Sequence, residues 1–433
     1  MIQLNDSETE LPRPDTDVDL QMRIRRQDGE NFMHLFYRLH APLVPYYKSW
    51  TYKEPIILTS SRDQELREMN RVLSKACTYY AEHYLDYIDL IPYEDKVLDV
   101  LSYASIRPFQ MGTARPDYII DENGSLLICE ITARFFGNGY FLSFFNETDG
   151  QEKAESALIT DRHSYFEQML SYFADMRNGR DKVCVLMSAD KSDSIGLYVP
   201  FYHSLGMETV IIPAEDVENR LPELDGSMVI SALNQFDLLK YSPDTLRFLA
   251  EKGMINDFRT IFLLHDKRFF RLFLDPRFTD PALSKEETAF LNQHTIPTYL
   301  PDQDSAMFDY ARHHKDSFIL KHHCLGKSIG VYAGCLVQEK EWEQLFDEGN
   351  IKEMILQPFI RQRAFEMKWR TGSGQSRQVR DYVSGTILNV DGCYFGTGLF
   401  RTSSRPVINQ TDAHKMSPII TDQSKDLPNA FLL

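Results

Sequence analysis

Two short runs of alternating apolar and polar residues carry the acidic side chains best placed to do chemistry. Alternation along the second run sends Glu130 and Thr132 to one face, and Asp117 lies on the first run about thirteen residues earlier. Two converging carboxylates with oxygen-bearing neighbours are what Mg²⁺ bound to nucleotide phosphates requires. Arg115 projects to the same face and could hold a substrate carboxylate or a phosphate. The alternative for Glu130 is an ordinary ion pair with Arg134 or Arg115.

A lysine followed by a glycine loop forms a second candidate. Lys321 ends the predicted strand Ser317-Phe-Ile-Leu-Lys321, and the loop Gly326-Lys-Ser-Ile-Gly330 follows shortly after it. An ammonium group and the backbone N–H groups of this loop, which includes Ser328, could surround a polyphosphate. The loop lacks the residue order of a Walker motif, and the alternative is a glycine-bearing hairpin with a solvated lysine.

The run from Glu353 to Ile360 predicts a strand that leaves its sheet at Gln357-Pro358. A strand that becomes a linker exposes backbone donors and acceptors, which could read the edge of an adenine base. The alternative is that the proline only ends the strand.

These pieces together resemble the ATP-grasp ligases, specifically the circularly permuted branch that includes eukaryotic-type glutathione synthetase and bacterial glutathionylspermidine synthetase. In that branch an Arg-x-Asp motif and then a Glu-x-Asn motif lie towards the N-terminus, and the strands that grip phosphate lie near the C-terminus. Arg115-Pro-Asp117 and Glu130-Ile-Thr132 match these motifs, with Thr132 in place of Asn. The resemblance covers about Arg115 to Asn409. It implies a mixed α+β and α/β chain with an ATP-grasp fold in permuted order.

The same resemblance assigns the nucleotide contacts. The two nucleotide lysines of the family match Lys267 and Lys321, and its adenine hinge matches Leu356-Gln357-Pro-Phe-Ile360. The final glycine and arginine stretch of the family matches Gly396 to Arg401. The loop that contains Gly326, Ser328 and Gly330 would be the lid over the phosphates.

The activity that the resemblance implies is carboxylate–amine ligation. ATP phosphorylates a small carboxylic or amino acid, an amine attacks the acyl phosphate, and ADP and phosphate leave. The cofactors are then ATP and Mg²⁺, with Asp117, Glu130 and Thr132 at the metal. Arg115 or Arg401 would hold the developing anion or the substrate carboxylate.

Two departures from the family leave other functions open. Thr132 is a poorer Mg²⁺ ligand than Asn, and the acid that some relatives carry after the second lysine is missing from His322-His-Cys-Leu-Gly. One alternative is an ATP-binding protein of the same fold that has lost catalysis, and another is a kinase. His322 and His323 are adjacent on a predicted strand and should face opposite ways, which argues against a shared metal ion. No Cys nucleophile is predicted beside a His.

The stretch from Arg134 to residue 145 departs from the family, so the sequence does not identify the substrates. Arg134 and Asn138 within it suggest a small polar substrate that carries a carboxylate. The predicted partners are therefore a small-molecule carboxylate and an amine.

Four segments are predicted to position these residues. Residues 1–20 are an acidic, proline-containing lead-in, and residues 21–180 form a helical layer, the acidic hairpin and a helix over 152–177. Residues 181–260 form a small parallel-sheet α/β substrate module with three strands. Residues 261–433 form the antiparallel part that grips ATP, including a return strand over 331–337.

Composition limits the class of protein further. The 433 residues are 43% hydrophobic, which supplies a core and excludes a mainly disordered chain. The net charge of −16 argues against nucleic acid or an anionic membrane as the main partner. Six separated cysteines predict buried free thiols. The polar N-terminus and the lack of a long apolar run predict a soluble, cytoplasmic protein, and a homodimer is left open.

Overall fold

The computed structural model describes residues 51–52, 54–156, 158–189, 198–347, 349–370, 376–408, 414–423 and 431–432. The lead-in predicted for residues 1–20 lies outside these residues, as does the first part of the predicted helical layer. The proposed division into domains stays a prediction.

Sixteen β-strands lie in the described part of the chain. In chain order they are β1 (Ile56–Thr59), β2 (Thr113–Ile120), β3 (Leu126–Thr132), β4 (Lys182–Met187), β5 (Glu208–Pro213), β6 (Met228–Ala232), β7 (Phe318–His322), β8 (Val331–Ala333), β9 (Met354–Pro358), β10 (Ala364–Arg370), β11 (Ser376–Val390), β12 (Cys393–Thr397), β13 (Phe400–Ser403), β14 (His414–Met416), β15 (Pro418–Thr421) and β16 (Phe431–Leu432).

Eleven α-helices lie in the same ranges, and none of them is both long and apolar enough to cross a membrane. They are α1 (Ser60–His83), α2 (Asp95–Ala104), α3 (Ser143–Ser156), α4 (Phe166–Asp175), α5 (Tyr198–Ser204), α6 (Gln235–Leu238), α7 (Pro243–Lys252), α8 (Pro276–Ala282), α9 (Lys285–His294), α10 (Ser305–His313) and α11 (Glu339–Asp347). Short 3₁₀ helices lie at Tyr84–Tyr87, Ala214–Asn219, Leu221–Leu224, Lys267–Leu274, Lys315–Ser317, Gly334–Leu336 and Gly349–Glu353, and a π-helical turn lies at Thr260–Leu264.

The described strands form four sheets. The largest is antiparallel and has the order β14-β13-β11-β2-β3, with β10 and β12 also paired to the long strand β11. A second antiparallel sheet has the order β8-β7-β9. The parallel sheet β5-β4-β6 confirms the three strands predicted within residues 181–260. A fourth sheet, β15-β1-β16, is also parallel.

Helix α1 packs its apolar face into the main core. It begins where the Thr59 hydroxyl oxygen accepts a hydrogen bond from the Arg62 N–H group, at 3.2 Å. Leu66, Met69 and Leu73 recur at helical spacing and are buried in that core. Tyr80 follows them and is buried in the same core.

Two predicted elements are shorter than expected. The helix predicted over 152–177 is interrupted because Leu158 adopts a left-handed φ of 58°, and the Ile159 N–H group bonds back to the Ala154 carbonyl at 2.8 Å. The return strand predicted over 331–337 ends at Ala333. At Gly334 the backbone packs against the backbone of Lys315, whose ammonium donates to the Gly334 carbonyl at 2.8 Å.

Candidate functional site

A cavity lies between the seven-stranded sheet and the β8-β7-β9 sheet, with about 1320 Å³ of empty space including open solvent. Strands β2, β3, β11 and β13 supply one wall, and β7, β9 and the loop after β7 supply the other. Most of the residues predicted from the sequence line it, namely Arg115, Asp117, Glu130, Thr132, Arg134, Asn138, Lys321, Gly326, Ser328, Gln357, Ile360 and Arg401. Three predicted residues, Lys267, Gly330 and Leu356, lie behind this lining.

The β2–β3 hairpin brings the acidic candidates together. Arg115 pairs with Thr132 and Asp117 pairs with Glu130, and directly paired residues of antiparallel strands share a face. The turn is held by Asp121, whose carboxylate accepts from the N–H group of Ser125 at 2.7 Å. The convergence predicted from alternation is therefore present.

Asp117 is buried between two arginines. Its Oδ1 atom accepts from Nε of Arg115 at 3.0 Å, and its Oδ2 atom accepts from Nη2 of Arg401 at 2.5 Å. Burial would lower the pKa of Arg401, but the Asp117 carboxylate outweighs it and raises that pKa. Asp117 therefore holds two guanidinium groups in place, and both of its oxygens accept a charged hydrogen bond.

Glu130 faces cations from several elements. Its Oε2 atom lies 3.5 Å from Nζ of Lys267, whose ammonium also donates to the Leu325 carbonyl at 2.6 Å. Burial would raise the pKa of Glu130, but Lys267, Lys321 and the two arginines outweigh it and lower that pKa. The carboxylate is thus ionised at neutral pH, and Lys267 acts on it from behind the cavity wall.

Lys321 is a buried cation that faces the cavity. It is only 9% exposed, and its strand β7 is paired on both sides, with Val331 of β8 and Ile355 of β9 opposite it. Among the described residues, no carboxylate oxygen lies within 4 Å of its ammonium group, whereas a Glu130 oxygen lies within that distance of the Lys267 ammonium. A buried ammonium without a carboxylate costs free energy unless a bound anion compensates it.

The described cavity wall carries more positive than negative charge. Five lining residues are cationic and two are acidic, namely Arg115, Arg134, Lys321, Lys327 and Arg401 against Asp117 and Glu130. The chain as a whole has a net charge of −16. Such a local reversal of charge selects anionic ligands for the cavity.

The glycine loop after β7 has an unusual backbone. Lys327, Ser328 and Gly330 all have left-handed φ angles, of 59°, 58° and 68°. A Cβ atom at Gly330 would lie 2.9 Å from the Cβ atom of His322, so glycine is required there for space as well as for backbone angle. Successive residues in such conformations can turn backbone N–H groups towards one anion.

The predicted adenine hinge is only partly available. Leu356 has both backbone groups bonded to Tyr299, at 2.9 and 3.0 Å, so it cannot also read a base. The buried side chain of Gln357 donates to the Thr298 hydroxyl at 2.8 Å. Residues 357 to 360 line the cavity after this point, and an adenine edge would have to meet those residues.

Two residues proposed for substrate binding also line the wall. The Arg134 guanidinium lies 4.9 Å from the centre of the Phe135 ring, which fixes its orientation. Asn138 contributes its backbone carbonyl, which accepts from Nη1 of Arg115 at 2.9 Å.

Glu130 and Thr132 are the residues that fit a Mg²⁺ ion. Within the described residues the Oε1 atom of Glu130 has no partner, and Thr132 shares its face. One carboxylate together with ligand phosphates and water meets the usual needs of Mg²⁺. Asp161, His163 and Asp422 form a separate cluster away from the cavity lining, with their ligand atoms within 4.8 Å of one another.

A cluster beside the cavity was missed by the sequence reasoning. His322 and His323 do not face opposite ways, because β7 ends at His322, and their rings stack with centroids 5.1 Å apart. The Sγ atom of Cys324 lies 3.7 Å from Nδ1 of His322, so a cysteine does lie beside a histidine. The prediction of buried thiols is also wrong for four cysteines, since Cys129 and Cys324 are partly exposed and Cys335 and Cys393 are exposed. The tripeptide His-His-Cys was the feature of the sequence that could have indicated this cluster.

Comparison with known proteins supports the fold. A family model described as the AnkG N-terminal domain matches residues 69–263, less than half of the chain. No curated protein matches the chain. Among solved structures, a glutathione synthetase-like effector from Globodera pallida, in its apo form, matches with a TM-score of 0.53 and 10% sequence identity, over 94% of this chain and 99% of that one. The chain thus has a mixed α/β fold with several sheets that is similar to the fold of a glutathione synthetase-like protein.

Proposed function

We propose that the chain is an ATP-dependent carboxylate–amine ligase with an ATP-grasp fold in circularly permuted order. The observation that carries the proposal is Lys321, a buried ammonium that faces a cation-rich cavity without a carboxylate partner among the described residues. The phosphates of a nucleoside triphosphate would place negative charge directly against this ammonium. The similarity of fold to a glutathione synthetase-like protein supports the same assignment.

In this proposal the two walls of the cavity bind different parts of the ligand. Lys321 and the backbone of the Gly326 to Gly330 loop hold the phosphates, and residues 357 to 360 meet the base. Glu130 would hold Mg²⁺ directly and Thr132 through water, and the ion would neutralise phosphate charge. Lys267 keeps Glu130 ionised and ties down the Leu325 carbonyl at the start of the loop.

Arg115 and Arg401 would act on the substrate. A carboxylate oxygen of the substrate attacks the γ-phosphorus of ATP, ADP leaves, and the acyl phosphate forms. The amine then attacks the acyl carbon, phosphate leaves with the bond electrons, the nitrogen gives up a proton to the departing phosphate or to water, and an amide remains. Asp117 holds both guanidinium groups towards the anion that develops, so they need not reorganise during the reaction.

A second candidate is an ATP-binding protein of this fold without ligase turnover. The observation that favours it is the position of Asp117, whose two oxygens both accept from arginines, so that its negative charge is already compensated and attracts a metal ion less strongly. Such a protein would bind ATP and Mg²⁺ in the same cavity but would release no phosphate.

The test is phosphate release with ATP and Mg²⁺ across a matrix of carboxylic acids and amines, followed by mass spectrometry of the products. A ligase releases phosphate only when both an acid and an amine are present, and the product mass is that of the amide. Saturable ATP binding without phosphate release in any combination would contradict the ligase and support the second candidate.

A further inference from the structure

The cluster at the end of β7 surrounds a cysteine with basic groups. Cys324 is partly exposed, its Sγ atom lies 3.7 Å from Nδ1 of His322, and its backbone N–H group donates to the same nitrogen at 3.3 Å. The ligand atoms of His322, His323 and Cys324 all lie within 4.8 Å of one another. The arrangement places a thiol against two imidazole rings.

His323 is held as a cation in this cluster. Its Nδ1 atom lies 3.0 Å from Oδ2 of Asp266, and its Nε2 atom lies 3.0 Å from Oε2 of Glu353. Burial would lower the pKa of His323, but the Asp266 carboxylate outweighs it and raises that pKa to about 10. Both ring nitrogens are occupied, so His323 supplies a fixed positive charge beside the thiol.

The charge and hydrogen bonds act on the thiol itself. Burial would raise the pKa of Cys324, but the contact with His322 and the positive charge of His323 outweigh it and lower that pKa to about 6, against the opposing effect of Asp266. Cys335 is an exposed residue, and partial desolvation of its thiol together with the Asp316 carboxylate raises its pKa. The thiolate is the nucleophilic form of cysteine, so the two residues should differ in reactivity at low pH.

We infer that Cys324 is a reactive thiolate that forms a mixed disulfide with small disulfides, and that this modification closes the cavity to its ligand. In the step, the Cys324 thiolate attacks one sulfur of the small disulfide and a new S–S bond forms. The original S–S bond breaks, and its other half leaves as a thiolate that takes a proton from water. Cys324 is oxidised and the departing half is reduced.

The link from Cys324 to the cavity runs through its neighbours. Leu325 and Gly326 follow it directly and line the cavity. The His322 ring lies beside Sγ, and the backbone N–H group of His322 donates to the Gly330 carbonyl at 2.8 Å. A group attached to Sγ adds bulk beside that ring, and His322 packs closely under Gly330. This second part of the inference rests on the proposed function, because it assumes that the loop holds phosphate.

The first experiment treats the native protein with 2,2′-dithiodipyridine and follows thiopyridone release between pH 5 and pH 9, with the labelled cysteine identified by peptide mass spectrometry. We expect Cys324 to react first, and at pH 6 about ten-fold faster than Cys335, after allowance for the lower nucleophilicity of a low-pKa thiolate. The rate at Cys324 should reach half its maximum near pH 6. A half-maximum above pH 8, or first labelling at another cysteine, would overturn the inference.

Two variants test whether His322 causes the reactivity of Cys324. His322→Gln should move the half-maximum at Cys324 to higher pH, whereas the matched control Cys335→Ser should leave it unchanged. An unchanged pH profile in His322→Gln would mean that His322 does not activate the Cys324 thiol.

The second experiment measures ATP binding before and after mixed-disulfide formation, with reduction by dithiothreitol as the reversal. We expect at least a ten-fold loss of affinity that reduction restores, and no loss in Cys324→Ser treated in the same way. Full ATP affinity in the modified protein would overturn the inference that the modification closes the cavity to its ligand. If the untreated protein binds no ATP, the proposed function fails, while the pH profile still decides whether Cys324 is a reactive thiolate.

Discussion

Asp117 and Glu130 lie opposite each other on neighbouring strands, yet their surroundings give them different tasks. Asp117 is enclosed by Arg115 and Arg401, whereas Glu130 keeps an oxygen that faces the cavity without a partner among the described residues. The first carboxylate positions cations, and the second is available to a metal ion. This division predicts that the two residues respond differently to substitution.

Glu130→Gln should separate binding of the nucleotide from binding of the metal. Without Mg²⁺, ATP should bind the variant as well as or better than the wild type, because one negative charge has left the cavity. With Mg²⁺, we expect the wild type to gain affinity and turnover and the variant to gain neither, with turnover lower by at least two orders of magnitude. Calorimetric titration measures the ATP affinities, and phosphate release measures the turnover. An equal Mg²⁺ effect in the two proteins would remove Glu130 from the metal site.

Lys415 gives a prediction about pH. It lies opposite Arg401 on strand β14. Burial lowers its pKa from 10.5 to about 7, and Arg401 and Arg115 add to the effect. Between these two values the unfolded chain holds a proton that the folded chain lacks, so stability rises with pH there. The destabilising effect of Lys415 is therefore fully present below pH 7 and fades as the pH approaches 10.5.

Lys415→Met should raise the melting temperature by a few degrees at pH 6 and by less at pH 9.5. The control is Lys340→Met, which makes the same substitution at an exposed position of α11. Thermal unfolding at the two pH values measures the difference. An equal shift at both would mean that Lys415 is not held neutral by its surroundings.

The pairing of single residues could be predicted only where it is local. Alternation along the hairpin predicted that Asp117, Glu130 and Thr132 share a face, because the side-chain period of a strand is two. The contact between Asp117 and Arg401 spans 284 residues of sequence, and no local pattern reports it. The stacking of His322 and His323 was missed because it depends on where β7 ends.

At the scale of elements, the glycine loop after β7 lines the cavity and is the proposed contact for phosphate. Gly330→Ala introduces a left-handed alanine and a clash with His322, and Gly206→Ala introduces a left-handed alanine with no atom of the described structure within 4 Å. Both should cost about 1 kcal/mol of stability for the backbone angle. Only Gly330→Ala should weaken the binding of ATP, by at least ten-fold. Equal ATP affinities in the two variants, measured by calorimetry, would mean that the loop does not hold phosphate.

Elements with strong apolar patterns could be predicted, and elements ended by packing could not. The strand Lys182–Met187 is a short, nearly continuous apolar run, and it is present within the module predicted for residues 181–260. The strand over 331–337 ended early because Gly334 meets the backbone of Lys315, which is a tertiary contact. The break after Ser156 similarly depends on the left-handed residue Leu158.

For the whole molecule, an acidic surface surrounds a cationic cavity, and this predicts selectivity among anions. At physiological salt, labelled duplex DNA should not bind, because the cations are recessed and the net charge of −16 repels it. Inorganic tripolyphosphate should compete with ATP. Fluorescence anisotropy with the duplex and displacement of ATP by tripolyphosphate measure the two cases. Tight duplex binding would contradict a cavity that is selective for small anions.

The central claim, that the cavity is a nucleotide site centred on Lys321, is tested most directly by calorimetric titration of ATP into the wild type, Lys321→Met and the control Lys340→Met. We predict one saturable site in the wild type and the control. Lys321→Met should lose at least ten-fold in affinity, about 1.4 kcal/mol, with a melting temperature that is unchanged or higher because a buried cation has been removed. Wild-type affinity in Lys321→Met, or no ATP binding by the wild type, would contradict the claim.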